Sequence, residues 1–230
     1  MARNVAIGIQ QFDKLIEKDC FYVDKTDFIR EWWESGDDVT LITRPRRFGK
    51  TLNMSMTEQF FSIDYADRGD LFEGLSVWED EKYREIQGTY PVISLSFVNV
   101  KEKDYRTTRK KICQLLTNLY AKHSFLLDSG LLYESDVAYF KRVSENMDEL
   151  VSFTRSIFNS AFKTNPWLER AIMTGITRVS RESMFSDLNN LEVVTTTSDK
   201  YATSFGFTEA EVFAALDECG RSDQKQQVKQ

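Results

Sequence analysis

The chain has a single histidine, His123, and that scarcity excludes more chemistry than any other feature of its composition. Ser-His-Asp and Cys-His centres and every histidine general base need an imidazole held by a partner. A thiolate–imidazole metal cage needs several ligands close together. The three cysteines, Cys20, Cys113 and Cys219, are widely spread with no C-x-x-C spacing, which reads as reduced thiols in a cytoplasmic protein. Three prolines and ten glycines in 230 residues favour long helices over an all-β chain full of turns. No run approaches the uncharged apolar length of a membrane span, and MARNVAIGIQQFDKL lacks the apolar core and cleavage site of a signal peptide.

What is abundant is aromatic. Seventeen Phe, nine Tyr and four Trp supply a core and rule out disorder for most of the chain. At this length one domain, or one with a small appendage, is expected. The formal charge of −6 disfavours a bulk electrostatic nucleic-acid binder, although a local basic cluster can still serve a phosphate.

Periodicity gives the elements. Ile9, Phe12, Leu15 and Ile16 fall at helical spacing. Asp24 and Thr26 offer N-caps to a helix through Ser35 that buries Phe28, Ile29, Trp32 and Trp33 and stops at Gly36. Val39 to Thr43 is β-branched and bounded, a buried strand. A helix begins at Thr51 with Leu52, Met56, Phe60 and Ile63 inward, and short helices and loops fill 64–89. Val92 to Val98 reads as a second strand, Tyr105 to Tyr120 as a helix with Ile112, Leu115, Leu116 and Leu119 inward, and 135–164 as helical again. The Lys- and Arg-rich stretch 101–111 reads as a solvated helix start. Ala171 to Thr174 and Leu191 to Thr196 are further strands, Thr208 caps a helix over Glu209 to Glu218, and the tail after it is polar and frayed. Strands alternating with helices indicate a parallel α/β sheet, whose ligands sit at the carboxyl ends of the strands.

The loop after Thr43 therefore lies where chemistry is expected. Arg44-Pro45-Arg46-Arg47-Phe48-Gly49-Lys50-Thr51 ends as the second half of the phosphate-binding pattern G-x-x-x-x-G-K-[ST]. A helix N-terminus offers free N–H groups and a positive dipole end to phosphate oxygens. Gly49 lets the backbone come close, Lys50 brings charge to the β- and γ-phosphates, and the Thr51 hydroxyl ligates Mg²⁺. Arg46 and Arg47 add guanidinium forks that match phosphate geometry. Arg44 stands where the pattern's first glycine would be. The competing reading of these residues is a basic strand-to-helix turn.

The stretch from Tyr22 to Thr51, YVDKTDFI followed by LITRPRRFGKT, resembles the bacterial predicted AAA-ATPase-like proteins. Those combine a YVDKT-type segment, an R-P-R-R-F-G-K-[ST] loop and a later T-G-x-x-R … F-S-x-x-N-N-L signature, here Thr174-Gly175-Ile176-Thr177-Arg178 through Phe185-Ser186-Asp187-Leu188-Asn189-Asn190-Leu191. Phe205-Gly206-Phe207-Thr208-Glu209 matches a further family segment, so the resemblance runs from about Ile7 to Phe213. It implies an α/β, parallel-sheet P-loop NTPase core of AAA-like type over 1–205, a lid-like segment starting at 206–219, and a polar tail. It also implies ATP with Mg²⁺ as ligands, contacts from Arg46, Arg47, Phe48, Gly49, Lys50 and Thr51, and sensor-like roles for Thr174 and Arg178. In that family an arginine in place of the first glycine is the norm.

Such ATPases also need an apolar strand ending in an acid that organises Mg²⁺, often followed by a Glu that orients water. None stands between Val100 and Arg170. Phe125-Leu126-Leu127-Asp128 is the nearest match, and Asp148-Glu149 follows no strand. The pattern reads as an internal deletion near 147–148 that removed one central strand and left the neighbouring edges to close together. The expectation is an ATP-binding protein with hydrolysis slow or absent. One alternative is an active ATPase that uses Asp128, Asp148, Glu149 or a partner's carboxylates; the other is a non-nucleotide interaction protein. A homo-oligomer or protein partner stays open, nucleic acid enters by family analogy alone, and no membrane association is expected.

Overall fold

The computed structural model describes residues 4–5, 8–145, 162, 165–175 and 191–228. Two compact units emerge: Met1–Val92 with Arg170–Val179 and Asn190–Gln230, and Ile93–Glu169 with Ser180–Asn189.

The first unit is built around a three-stranded parallel sheet. Strand β3 (Val39–Thr43) is central, with β4 (Ala171–Gly175) on one side and β5 (Leu191–Val194) on the other. Ile42 is in register with Thr174 and with Val194, so the three strands end within one residue of one another. Every residue of β3 is buried, as expected of a parallel strand covered on both faces. Its two buried hydroxyls are both partnered: Thr40 accepts from Trp32 Nε1 at 3.1 Å and Thr43 donates to Val194 O at 3.5 Å. Strands β1 (Asn4–Val5) and β2 (Cys20–Phe21) form a separate short parallel pair.

The helices α1 (Phe12–Glu17), α2 (Asp27–Glu34), α3 (Lys50–Phe61) and α4 (Glu81–Ile86) pack an aromatic core. Phe12 stacks on Phe72 at 5.2 Å between centroids, and Phe60 meets Phe72 edge-on at 5.1 Å and Phe61 at 5.0 Å. Offset and edge-to-face geometries suit rings that carry a quadrupole. Helix α3 also supplies the missing acceptors of α1: Ser55 Oγ takes the N–H of Phe12 at 3.1 Å, and Gln59 Oε1 that of Asp13 at 2.8 Å. Three 3₁₀ turns, Ile63–Tyr65, Gly69–Phe72 and Ser76–Glu79, fill the stretch read as short helices and loops.

The second unit holds α5 (Tyr105–Lys122), a 3₁₀ turn at Ser124–Asp128 and α6 (Glu134–Glu145). Cys113 and Leu116 are its buried pair, and Tyr120 meets Phe140 at 4.7 Å. Leu116 was expected inward; Cys113 was not singled out. Among the described residues no helix is long and apolar enough to cross a membrane.

Three expectations need correction. Val92 to Val98 forms no strand. Its alternation is suited to a half-buried sheet position, yet Ile93 is 71% exposed and Phe97 and Val98 also face solvent. β-propensity is a capacity to fit a sheet, and a strand needs a neighbour to take its N–H and C=O groups. Ile63 is 42% exposed rather than inward, because α3 ends at Phe61 and Ser62 turns extended to bridge Tyr90. The tail is partly ordered: Ser222–Gln224 and α8 (Lys225–Val228) are helical, with Asp217 taking Ser222 Oγ at 2.6 Å and Lys225 Nζ at 2.5 Å. Helix α7 (Glu209–Glu218) opens on the expected cap, a full capping box between Thr208 and Glu211. Of the helix read over 135–164, α6 accounts for the first part and most of the rest lies outside the described residues.

Phe60→Ala should lower stability by about 3–5 kcal/mol in urea unfolding, because it empties the centre of the ring cluster. Ile63→Ala should stay within about 0.5 kcal/mol.

Candidate functional site

At the carboxyl end of β3 the chain leaves the sheet, turns, and enters α3. Arg44 N–H donates to Gly175 O at 3.2 Å, extending the β3–β4 ladder by one step. Two residues of the turn have positive φ: Arg47 at 68° and Gly49 at 70°. Left-handed conformations between ordinary ones aim successive N–H groups toward one side. Gly49 is the N-cap of α3 and, lacking a side chain, offers the helix no side-chain cap. Among the described residues, the main-chain N–H groups of Gly49, Lys50, Thr51 and Leu52 have no protein acceptor. These are the orphan donors of the first helical turn, with the positive end of the helix dipole behind them.

Lys50 bends back over this turn. Its ammonium donates to the carbonyls of Arg44 at 2.8 Å and Pro45 at 2.5 Å. Burial lowers its pKa below the usual lysine value, so an incoming anion would restore what desolvation removes. Arg46, Arg47 and Thr51 are exposed, and Phe48 is 39% exposed. Among the described residues neither Arg46 nor Arg47 forms an ion pair.

Arg44 turns the other way. It is 4% exposed, and its guanidinium reaches five main-chain carbonyls: Thr43, Val194, Thr195, Lys200 and Tyr201, the closest being Thr195 at 2.6 Å. The ring of Phe205 lies 5.5 Å from its Cζ. Burial pulls its pKa below the ordinary arginine value, and it stays a cation at neutral pH.

The Tyr22-Val23-Asp24-Lys25-Thr26 segment braces the same region. Tyr22 Oη donates to Met56 Sδ at 3.3 Å. Asp24 accepts from Thr26 N–H at 2.8 Å and Ser76 N–H at 2.7 Å, an Asx turn just ahead of α2; Thr26 is the N-cap by position, and neither residue supplies the side-chain cap expected of it. Lys25 reaches Thr203 O and Glu211 Oε1, both at 2.6 Å. Burial opposes the charge on Glu211, but Lys25 and the Thr208 N–H outweigh it and hold the carboxyl below the usual range.

Thr174 is exposed near the end of β4, one strand from Ile42. Asp128 is exposed at the end of a 3₁₀ turn in the second unit, not at the end of a strand. Arg178, Asp148 and Glu149 lie outside the described residues. Among the described residues no group of three or more His, Cys, Asp and Glu side chains forms a metal cage. The sequence reading missed Arg44, Asn53 and Lys25. Asn53 Nδ2 donates to Ser204 O at 2.7 Å, and a polar residue one turn inside a helix carries no signal of such a partner.

The family model for the predicted AAA-ATPases matches residues 6–131, more than half of the chain, and the chain belongs to that family. An uncharacterized protein from the vnfD 5′ region of Azotobacter chroococcum mcd 1 is 29% identical over 240 residues, which cover 93% of this chain and 45% of the relative. The chain thus spans less than half the length of that relative. No solved structure matches it.

Because the folded-state pKa of Glu211 is depressed, its pairing with Lys25 stabilises fully above the unfolded-state value of about 4.3. That contribution is lost as pH falls through the folded value. Acid titration below about pH 4.3 should release α7, read as faster amide exchange over 209–218, and Glu211→Gln should flatten this dependence.

Proposed function

We propose that this chain is an ATP-binding module of AAA-ATPase type, with hydrolysis slow or absent. The observation that carries the reading is the turn from Arg44 to Thr51. Unclaimed N–H groups, a left-handed Gly49 and the Lys50 ammonium converge there at the carboxyl end of a buried parallel strand. A triphosphate is the ligand such a turn suits: its oxygens take the four N–H groups and replace the two carbonyls that Lys50 now holds. Arg46 and Arg47 stand exposed beside the turn to neutralise further charge. Thr51, at the second position of α3, presents its hydroxyl to a Mg²⁺ ion carried by the nucleotide. Thr174, one residue before the end of β4 and in register with Ile42, takes the role of sensing the terminal phosphate in this reading, and Arg178 follows it four residues on.

Residues 1–205 make the nucleotide-binding module in this reading, and 206–219 begin a lid-like segment. The weak step is hydrolysis. Strand order β4-β3-β5 brings no acid-bearing strand beside β4 among the described residues, and Asp128 sits on a 3₁₀ turn. The match to the Azotobacter relative extends over 240 residues, more than the 230 of this chain, so the relative carries matched-region residues that have no counterpart here.

ATP at about a hundred times its Kd should stabilise the protein by about 2.7 kcal/mol, a melting shift of about 5–10 °C at this chain length. Lys50→Ala should abolish the shift, while phosphate release stays at the uncatalysed background with or without Mg²⁺. No shift at millimolar ATP refutes the reading. Turnover that vanishes in both Lys50→Ala and a variant of Asp128, Asp148 or Glu149 establishes the active-ATPase alternative.

A further inference from the structure

The backbone from Thr195 to Ser204 is held from both ends of the phosphate loop. Arg44, at the loop's entry, donates to the carbonyls of Thr195 at 2.6 Å, Tyr201 at 3.3 Å and Lys200 at 3.4 Å. Asn53, buried one turn into α3 at the loop's exit, donates to Ser204 O. Phe48, within the loop, packs on Gly206 so closely that a Cβ there would stand 3.0 Å from the ring, and the φ of +80° at Gly206 already disfavours a side chain. Lys25 then joins Thr203 to Glu211, so the grip continues into α7.

One residue belongs to both systems. The carbonyl of Arg44 is where Lys50 rests, and the guanidinium of Arg44 is what holds the 195–201 backbone. A phosphate that draws Lys50 away acts on the main chain of the residue whose side chain anchors that segment.

We propose that Arg44 is a positioning residue that couples occupancy of the phosphate loop to the segment from Thr195 to Glu211. The inference rests on the reading of the loop as a triphosphate site. A guanidinium suits the task, because its planar fork of five donors meets several carbonyls at once, where an ammonium is a compact point charge. The group is desolvated with carbonyls as its hydrogen-bond partners, so it has no solvated rotamer within easy reach and follows its own backbone. When phosphate oxygens replace the carbonyls of Arg44 and Pro45 at Lys50, the turn re-forms around the anion and Arg44 carries the change to the 195–201 backbone. Coupling of this kind is reciprocal: loosening the segment weakens phosphate binding by the same factor.

The segment has its own exchange reporters, since Ser198 N–H donates to Thr195 O at 3.1 Å and Ala202 N–H to Asp199 O at 3.1 Å. Hydrogen exchange of the full chain, with and without ATP or inorganic tripolyphosphate, should show protection at 47–54 that extends to 195–206, slowing exchange there by about tenfold. In Arg44→Lys the far-UV circular dichroism should match the parent. ATP should bind about tenfold more weakly, and at saturation protection should stay confined to 47–54. If Arg44→Lys binds ATP as tightly as the parent, or still protects 195–206, the coupling role is overturned and Arg44 is a structural staple alone. If Arg44→Lys does not fold, the parent decides: ligand protection confined to 47–54 overturns the inference. Absence of any ligand effect in the parent refutes the triphosphate reading itself, and the coupling falls with it.

Discussion

Where parallel strands end side by side, their last carbonyls need donors other than the N–H groups of a continuing strand. Here those of Thr43 and Val194, with Thr195, Lys200 and Tyr201 from the turns beyond β5, close around one guanidinium. A buried cation without a carboxylate is expensive, and hydrogen bonds to a charged group return about 1.5–3 kcal/mol each. The arrangement exchanges the openness of a glycine at this point for a fixed strut. The exit of β3, the start of the turn into α3 and the turns after β5 are tied together through that one side chain.

That rigidity matters because the sheet is small. Three strands give little area for helices to cover, and the unit compensates with rings. Phe12, Phe28, Phe60, Phe61 and Phe72 all lie in the buried cluster with Trp32 and Tyr83. Ring-on-ring contacts at 5.1–5.2 Å lock α1 and α3 to the 3₁₀ turn at Gly69–Phe72. The mechanical support of the loop thus comes from α3 as much as from β3. Val92 to Val98, with its alternating apolar residues and its exposed Ile93, is the sort of segment a wider sheet would have taken up.

The sequence disclosed elements whose signal is local. Val39 to Thr43 is mostly β-branched, and Thr208 is a good cap for a helix over Glu209 to Glu218; both stand in the structure where their pattern put them. Val92 to Val98 misled because propensity describes a residue's fitness for a sheet, not the presence of a neighbour. Ile63 misled because its spacing continued a helix that Ser62 ends. Arg44 was legible only as a departure from a glycine. Its partners are main-chain carbonyls about 150 residues away, and a carbonyl has no letter in a sequence. The same holds for Asn53 with Ser204 and Lys25 with Thr203.

The order in which the central sheet is assembled follows from its strand neighbours. β3 lies within the first fifty residues, yet both strands that flank it come after residue 170. A chain emerging from the ribosome holds Val39, Leu41 and Ile42 ready long before anything can pair with them. Pairings so distant close slowly, since loop entropy is spent before any contact is gained. During synthesis the turn from Arg44 to Thr51 therefore has its helix before its strut, and the guanidinium of Arg44 meets most of its carbonyls only once residues 194–201 have emerged.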